Sequence, residues 1–79
     1  MAPLQQQYFE ILIERVRSDR YPSLQLLDRL ESIIYTPQQV TAYLDALITK
    51  VDESWYPSGQ LMNRVERMLS LAAAAAAAA

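Results

Sequence analysis

Cysteine and histidine are both missing from this chain of 79 residues. Without cysteine, neither a disulfide framework nor thiolate chemistry is open to it. Without histidine it lacks the commonest general base and the commonest metal ligand. Glycine is nearly absent as well: Gly59 stands alone, so no glycine-rich phosphate loop or calcium loop can be assembled. No sign of charge dominates, with seven Lys/Arg against nine Asp/Glu and a net charge of −2. The basic residues (Arg15, Arg17, Arg20, Arg29, Lys50, Arg64, Arg67) are spread out among acids. Nucleic-acid binding normally needs a clustered basic face, so none is expected here.

Long apolar runs are missing too. The longest stretch without a charge, Met68 to Ala79, falls short of the ~20 residues that a membrane span requires. The opening Met1-Ala2-Pro3-Leu4-Gln5 has neither the basic start nor the apolar stretch of a signal peptide. A cytoplasmic or virion-associated location is expected, and secretion is not.

Catalytic constellations are not found. The Ser, Thr and Tyr hydroxyls have no histidine to activate them. Lys50 is the only lysine, and at the end of an amphipathic helix it is expected to be solvated. Glu10 and Glu14 lie one helical turn apart, but Glu14 has Arg17 within reach, and a surface ion pair is the expected use. The sequence therefore predicts no enzyme, no cofactor, no metal site and no small-molecule substrate.

What the chain does contain is helix-forming residues: 52% of it is apolar and 20% charged, with Leu, Gln, Arg, Glu and Ala common. Its length allows one domain, of a size that buries only ~60% of its unfolded surface and often leans on partners.

The most specific signal is an internal repeat of 35 residues. Tyr8 falls on Tyr43, Leu12 on Leu47, Ile13 on Ile48 and Val16 on Val51. Tyr21-Pro22-Ser23 falls on Tyr56-Pro57-Ser58, followed by Gln25/Gln60, Leu26/Leu61, Arg29/Arg64 and Glu31/Glu66. That is 11 identities over the 27 pairs from 8/43 to 34/69, far above chance, with most remaining pairs conservative.

Each unit reads as helix, Tyr-Pro-Ser turn, helix. Phe9, Leu12, Ile13 and Val16 recur at helical spacing, with Tyr8 and Ile11 widening the stripe. Thr36-Pro37-Gln38-Gln39 carries a cap, a first-turn proline and a residue able to close a capping box. The stripe that follows is Val40, Tyr43, Leu44, Leu47 and Val51. In the turns, proline ends the preceding segment and Ser23 or Ser58 can cap the next helix. Tyr21 and Tyr56 are expected to pack back over Leu26 and Leu61. The prediction is an all-α fold: helices at about 4–18, 23–34, 37–53 and 58–71, forming two tandem hairpins (about 4–34 and 37–71) in one small four-helix domain over 1–71. Ala72 to Ala79 can extend the last helix; eight identical alanines are read instead as a stretch whose side chains were not assigned.

The short helices have apolar residues over more than half of their circumference: Leu26, Leu27, Leu30, Ile33 and Ile34 in one, Leu61, Met62, Val65, Met68 and Leu69 in the other. Such breadth fits either contact on two sides or simple exposure of leucine. If the first holds, Tyr21, Trp55 and Tyr56, with Leu27, Leu30, Met62, Val65 and Met68, are the candidate partner-binding residues, Trp and Tyr being favoured interface anchors. The expected role is a non-catalytic structural or adaptor subunit of a larger assembly, such as a phage or virus particle. It would bind protein partners through helix faces and could self-associate. The alternative is a small regulator of one soluble partner, a chaperone or an anti-activator.

In period and helix content the unit resembles tetratricopeptide and pentatricopeptide repeats. The first family's Trp-Leu-Gly-Tyr and Ala/Phe/Pro positions are missing, and its proline closes the unit where this one divides it. Val40-Thr41-Ala42-Tyr43 with Leu47-Ile48 resembles the start of a pentatricopeptide helix, without the Gly and Ala positions that follow. No family is assigned on these residues.

Overall fold

The computed structural model describes the backbone of residues 3–54 and 58–78, and side chains as far as Ala74. Four helices make up the described part: α1 (Leu4–Ser18), α2 (Leu24–Ile33), α3 (Pro37–Glu53) and α4 (Gly59–Ala78). No strand occurs among the described residues.

The helix starts follow from the turn chemistry. Ser23 Oγ accepts the backbone N–H of Leu26 at 3.1 Å, and Ser58 Oγ accepts that of Leu61 at 3.0 Å. α2 and α4 thus begin with the same serine cap, each satisfying a donor that the first helical turn leaves open. Thr36 caps α3 by accepting from Gln39 N at 3.1 Å, with Pro37 in the first turn. The expected box closes one residue early: Gln39 Oε1 accepts from Tyr35 N at 2.7 Å. α4 runs without a break through the alanines to Ala78, and Ala72 packs partly on the core.

The helix pairs in extensive contact are α1–α2, α1–α3 and α3–α4. These contacts run in the order α2–α1–α3–α4, and long charged side chains join α2 to α4. Cross-links fix the directions. Near their starts, Gln5 and Gln6 of α1 meet Gln39 of α3; near their ends, Arg17 meets Asp45 and Lys50. α1 and α3 therefore run parallel side by side. Asp28 and Glu31 of α2 meet Arg64 and Arg67 of α4, so those two also run parallel. The result is two helix layers in a slab of 36 × 30 × 18 Å. It is consistent with two equivalent hairpins laid side by side.

The core is built from Phe9, Leu12, Ile13 and Val16 of α1, Leu27 and Leu30 of α2, Tyr43, Leu44, Ala46 and Leu47 of α3, and Met68 of α4. α3 is central, and α4 contributes one buried apolar side chain, Met68, among its described residues.

Among the described residues two polar side chains are buried, Gln39 and Lys50, and both are hydrogen-bonded. The Gln39 amide donates to Gln5 Oε1 at 2.8 Å and Gln6 Oε1 at 2.7 Å, while Gln5 donates on to the Ile33 carbonyl at 2.6 Å. One amide thus joins the start of α1 and the connection into α3. Gln39→Leu should lower stability by about 1–3 kcal/mol, because the surrounding amides lose their partner. In a thermal melt that is a fall of at least ~4 °C; an unchanged midpoint would contradict the role. Lys50 does not lie in solvent as its position in the sequence predicts. Its ammonium donates to the Arg17 carbonyl at 2.6 Å and pairs with Glu53 at 3.5 Å. The Arg17 carbonyl belongs to the last turn of α1, where carbonyls lack helical partners and a cation is favoured.

Candidate protein-binding site

The residues expected to meet a partner divide into three groups. Leu27, Leu30 and Met68 are enclosed in the chain's own core, and so are not available to a partner. The breadth of the α2 stripe is used up within the molecule: Leu27 and Leu30 are buried in the shared core, and the Tyr43 hydroxyl of α3 reaches the Leu27 carbonyl at 3.5 Å. Val65 is partly buried against the same core. Met62 and Tyr21 are exposed. Trp55 and Tyr56 lie outside the described residues.

Tyr21 does not pack back over Leu26. It is 79% exposed, with the Arg20 guanidinium 5.6 Å from its ring centroid, a cation–π contact of the exposed kind. Beside it a cavity of about 220 Å³ opens between the start of α2, the end of α3 and the start of α4. It is lined among others by Tyr21, Pro22, Leu24, Lys50, Ser54 and Leu61. The wall is mostly apolar and the rim carries Arg20, a combination found at partner and ligand sites.

Other outward apolar residues were legible only as stripe width. Leu4, Tyr8 and Ile11 form an exposed row on α1, and Ile11 borders a shallow depression with Glu14, Arg15 and Ser18. Arg17 pairs across to Asp45 at 3.3 Å rather than with Glu14. Tyr35 is exposed in the connection between α2 and α3, Ile48 on α3, and Met62, Leu69 and Leu71 on α4.

Electrostatics concentrate on Glu31. Its carboxylate accepts from Tyr43 Oη at 2.6 Å and from the guanidiniums of Arg64 and Arg67; Arg64 also binds Asp28 at 2.6 Å. Partial burial would raise the Glu31 carboxyl, but the Tyr43 hydroxyl and the two guanidiniums outweigh it and hold it below its usual value. Burial, and then the hydrogen bond to this carboxylate, push the Tyr43 phenol well above its usual value. Burial alone would lower the Arg64 guanidinium; its bonds to Asp28 and Glu31 override this and keep it firmly charged. A carboxylate committed to three donors clamps helices together. It is not placed to take a proton from a substrate.

Among the described residues, no group of three or more acidic side chains is arranged to hold a metal ion, and no helix is long and apolar enough to cross a membrane. No protein-family model matches the chain, and no curated protein or solved structure matches it either.

Proposed function

We propose that the chain is a pair of tandem helical hairpins acting as a non-catalytic adaptor or structural subunit within a larger protein assembly. It would work by packing helix faces against protein partners. The observation that carries this reading is the spread of aromatic and aliphatic side chains over surfaces with no role in the fold. Tyr21 and Leu24 stand at the mouth of the turn-end cavity, Tyr8 and Ile11 on the outer side of α1, and Met62 and Leu69 on α4. Exposed apolar surface of this kind, rimmed by polar residues, marks interaction sites.

The test is a double substitution on exposed positions, Tyr21→Asp with Met62→Asp, introduced into the chain in its own cell. Neither side chain is enclosed, so helicity by circular dichroism should be unchanged, exposed substitutions lying within about 0.5 kcal/mol of neutral in stability. The variant should then shift out of the large fractions of a sedimentation gradient. A variant that keeps its place among them contradicts the proposal.

A further inference from the structure

The two units bury different residues at equivalent positions, and the differences follow one rule. In α3, Tyr43 and Ala46 are enclosed against the first unit, at 0% and 1% exposure; their counterparts in α1, Tyr8 and Ile11, stand at 45% and 58%. Lys50 is buried, and its counterpart Arg15 is exposed. The reverse holds for residues that the first unit turns toward the second. Ile13 is 7% exposed against 46% for its counterpart Ile48, and Leu27 1% against 38% for Met62. The charged residues behave likewise: Glu31 and Arg64 are paired across the units, while their counterparts Glu66 and Arg29 are both exposed. The outer side of α1 and α2 therefore displays the face that the second unit has already buried. The outer side of α3 and α4 displays the face that the first unit has already buried. The two ends are the separated halves of an interface built once within the chain.

We infer that the chain stacks head to tail on further copies of itself, the outer α1–α2 face of one copy (Tyr8, Ile11, Arg15, Arg29) seating on the outer α3–α4 face of the next (Ile48, Met62, Glu66, Leu69). This deepens the adaptor reading and rests on it, since it names a partner for the exposed helix faces. The internal contacts supply the template, and charge complementarity fits it. The Arg29 guanidinium and Tyr8 hydroxyl of one copy approach Glu66 of the next, as Arg64 and Tyr43 approach Glu31. Arg15 approaches the carbonyl of Asp52 in the last turn of α3, as Lys50 meets that of Arg17. The shallow depression beside Ile11 and Arg15 lies on this face. A contact between two different faces leaves one face of each kind free, so further copies can add in a row as repeats do in a solenoid.

The template is copied in part. The image of the Arg17–Asp45 pair sets Asp52 against Glu10, two carboxylates, and Asn63 and Ser32 stand where Asp28 and Arg67 do. Stacking between copies is therefore weaker than the contact inside the chain, and it depends on concentration.

The experiment is sedimentation velocity on the purified chain over a concentration series, with two variants blocked at opposite ends, Ile11→Asp and Ile48→Asp. The wild type should grow past the dimer as concentration rises. Each variant alone should stay monomeric, because every head-to-tail contact needs both faces and one of them is blocked in every chain. An equimolar mixture of the two should form a two-chain species and stop there, because only one pair of intact faces remains. Circular dichroism confirms that both variants fold. As a second measurement, Arg29→Glu should lose stacking and the added Glu66→Arg should regain it. A wild type that stays monomeric overturns the inference. So does a symmetric dimer indifferent to Ile48→Asp, or a charge reversal that restores nothing. A chain monomeric alone but carried in a large assembly of other proteins would sink the stacking and keep the adaptor reading.

Discussion

Leu47→Ala is expected to lower the stability of the chain by about 2–5 kcal/mol. Leu47 lies at the middle of α3, the central helix, and is fully enclosed among side chains of the core. Truncating a buried leucine costs about 2–5 kcal/mol, the transfer of the lost methyl groups plus the cavity left behind. A domain of this size has a total stability of only ~4–12 kcal/mol, so such a loss is a large share of it. The neighbouring Ile48 is half exposed on the same helix, and Ile48→Ala should cost less than about 1 kcal/mol. Urea denaturation followed by circular dichroism measures both. Equal midpoints for the two variants would contradict the placement of the core.

The second large effect belongs to Glu31. Its removal leaves the Tyr43 hydroxyl without its short acceptor and leaves Arg64, whose side chain is only 14% exposed, with Asp28 alone. Breaking a mostly buried charged pair in this way costs about 2–4 kcal/mol. Glu31→Ala should show that loss, while Glu66→Ala, at the equivalent but exposed position, should lie within about 0.5 kcal/mol of the original.

The same residue sets a pH dependence. The folded chain holds the Glu31 carboxyl below its usual value, so between the two values the unfolded chain binds the extra proton. Stability from Glu31 is therefore fully present above the ordinary glutamate range, near pH ~4.3. It is lost as pH falls through the lowered folded value. Tyr43 gives the opposite limb: its phenol is raised in the folded chain, so its contribution holds below pH ~10 and fades above it. Midpoints measured against pH should lose the acid limb selectively in Glu31→Ala. An acid limb of unchanged size would place its origin elsewhere.

Much of the fold was legible because each helix carries its own boundary chemistry. Pro37 after Thr36 fixes the start of α3, and Ser23 and Ser58 cap the starts of α2 and α4. The predicted spans 4–18 and 37–53 agree with α1 and α3. α4 is longer than 58–71 because nothing in Ala72 to Ala78 stops a helix. The cross-links were not legible residue by residue, since local pattern says nothing about partners far along the chain. The period did hold a signal for them: Arg64 meets Glu31 and Asp28 at separations of 33 and 36 residues, close to one repeat, as neighbouring equivalent helices require.

The site was less legible than the fold for a related reason. Leu27 and Met62 occupy equivalent positions with similar side chains, yet one is core and the other surface. Sequence periodicity shows that both face the same way on their helices. Which unit is covered depends on which one has a neighbour on that side, and this follows only from how the hairpins stack. Lys50 and Arg15 differ for the same reason. Lys50 has the end of α1 beside it, whereas Arg15 has open solvent.

The central claim is that these outward faces exist to meet other protein surfaces. Its most direct test is gentle size fractionation of native material, followed by mass spectrometry of whatever travels with the chain. The account predicts that the chain sediments within a larger particle at a fixed copy number. Recovery of the chain at the size of one or two copies, alone or with a single soluble protein, would contradict it.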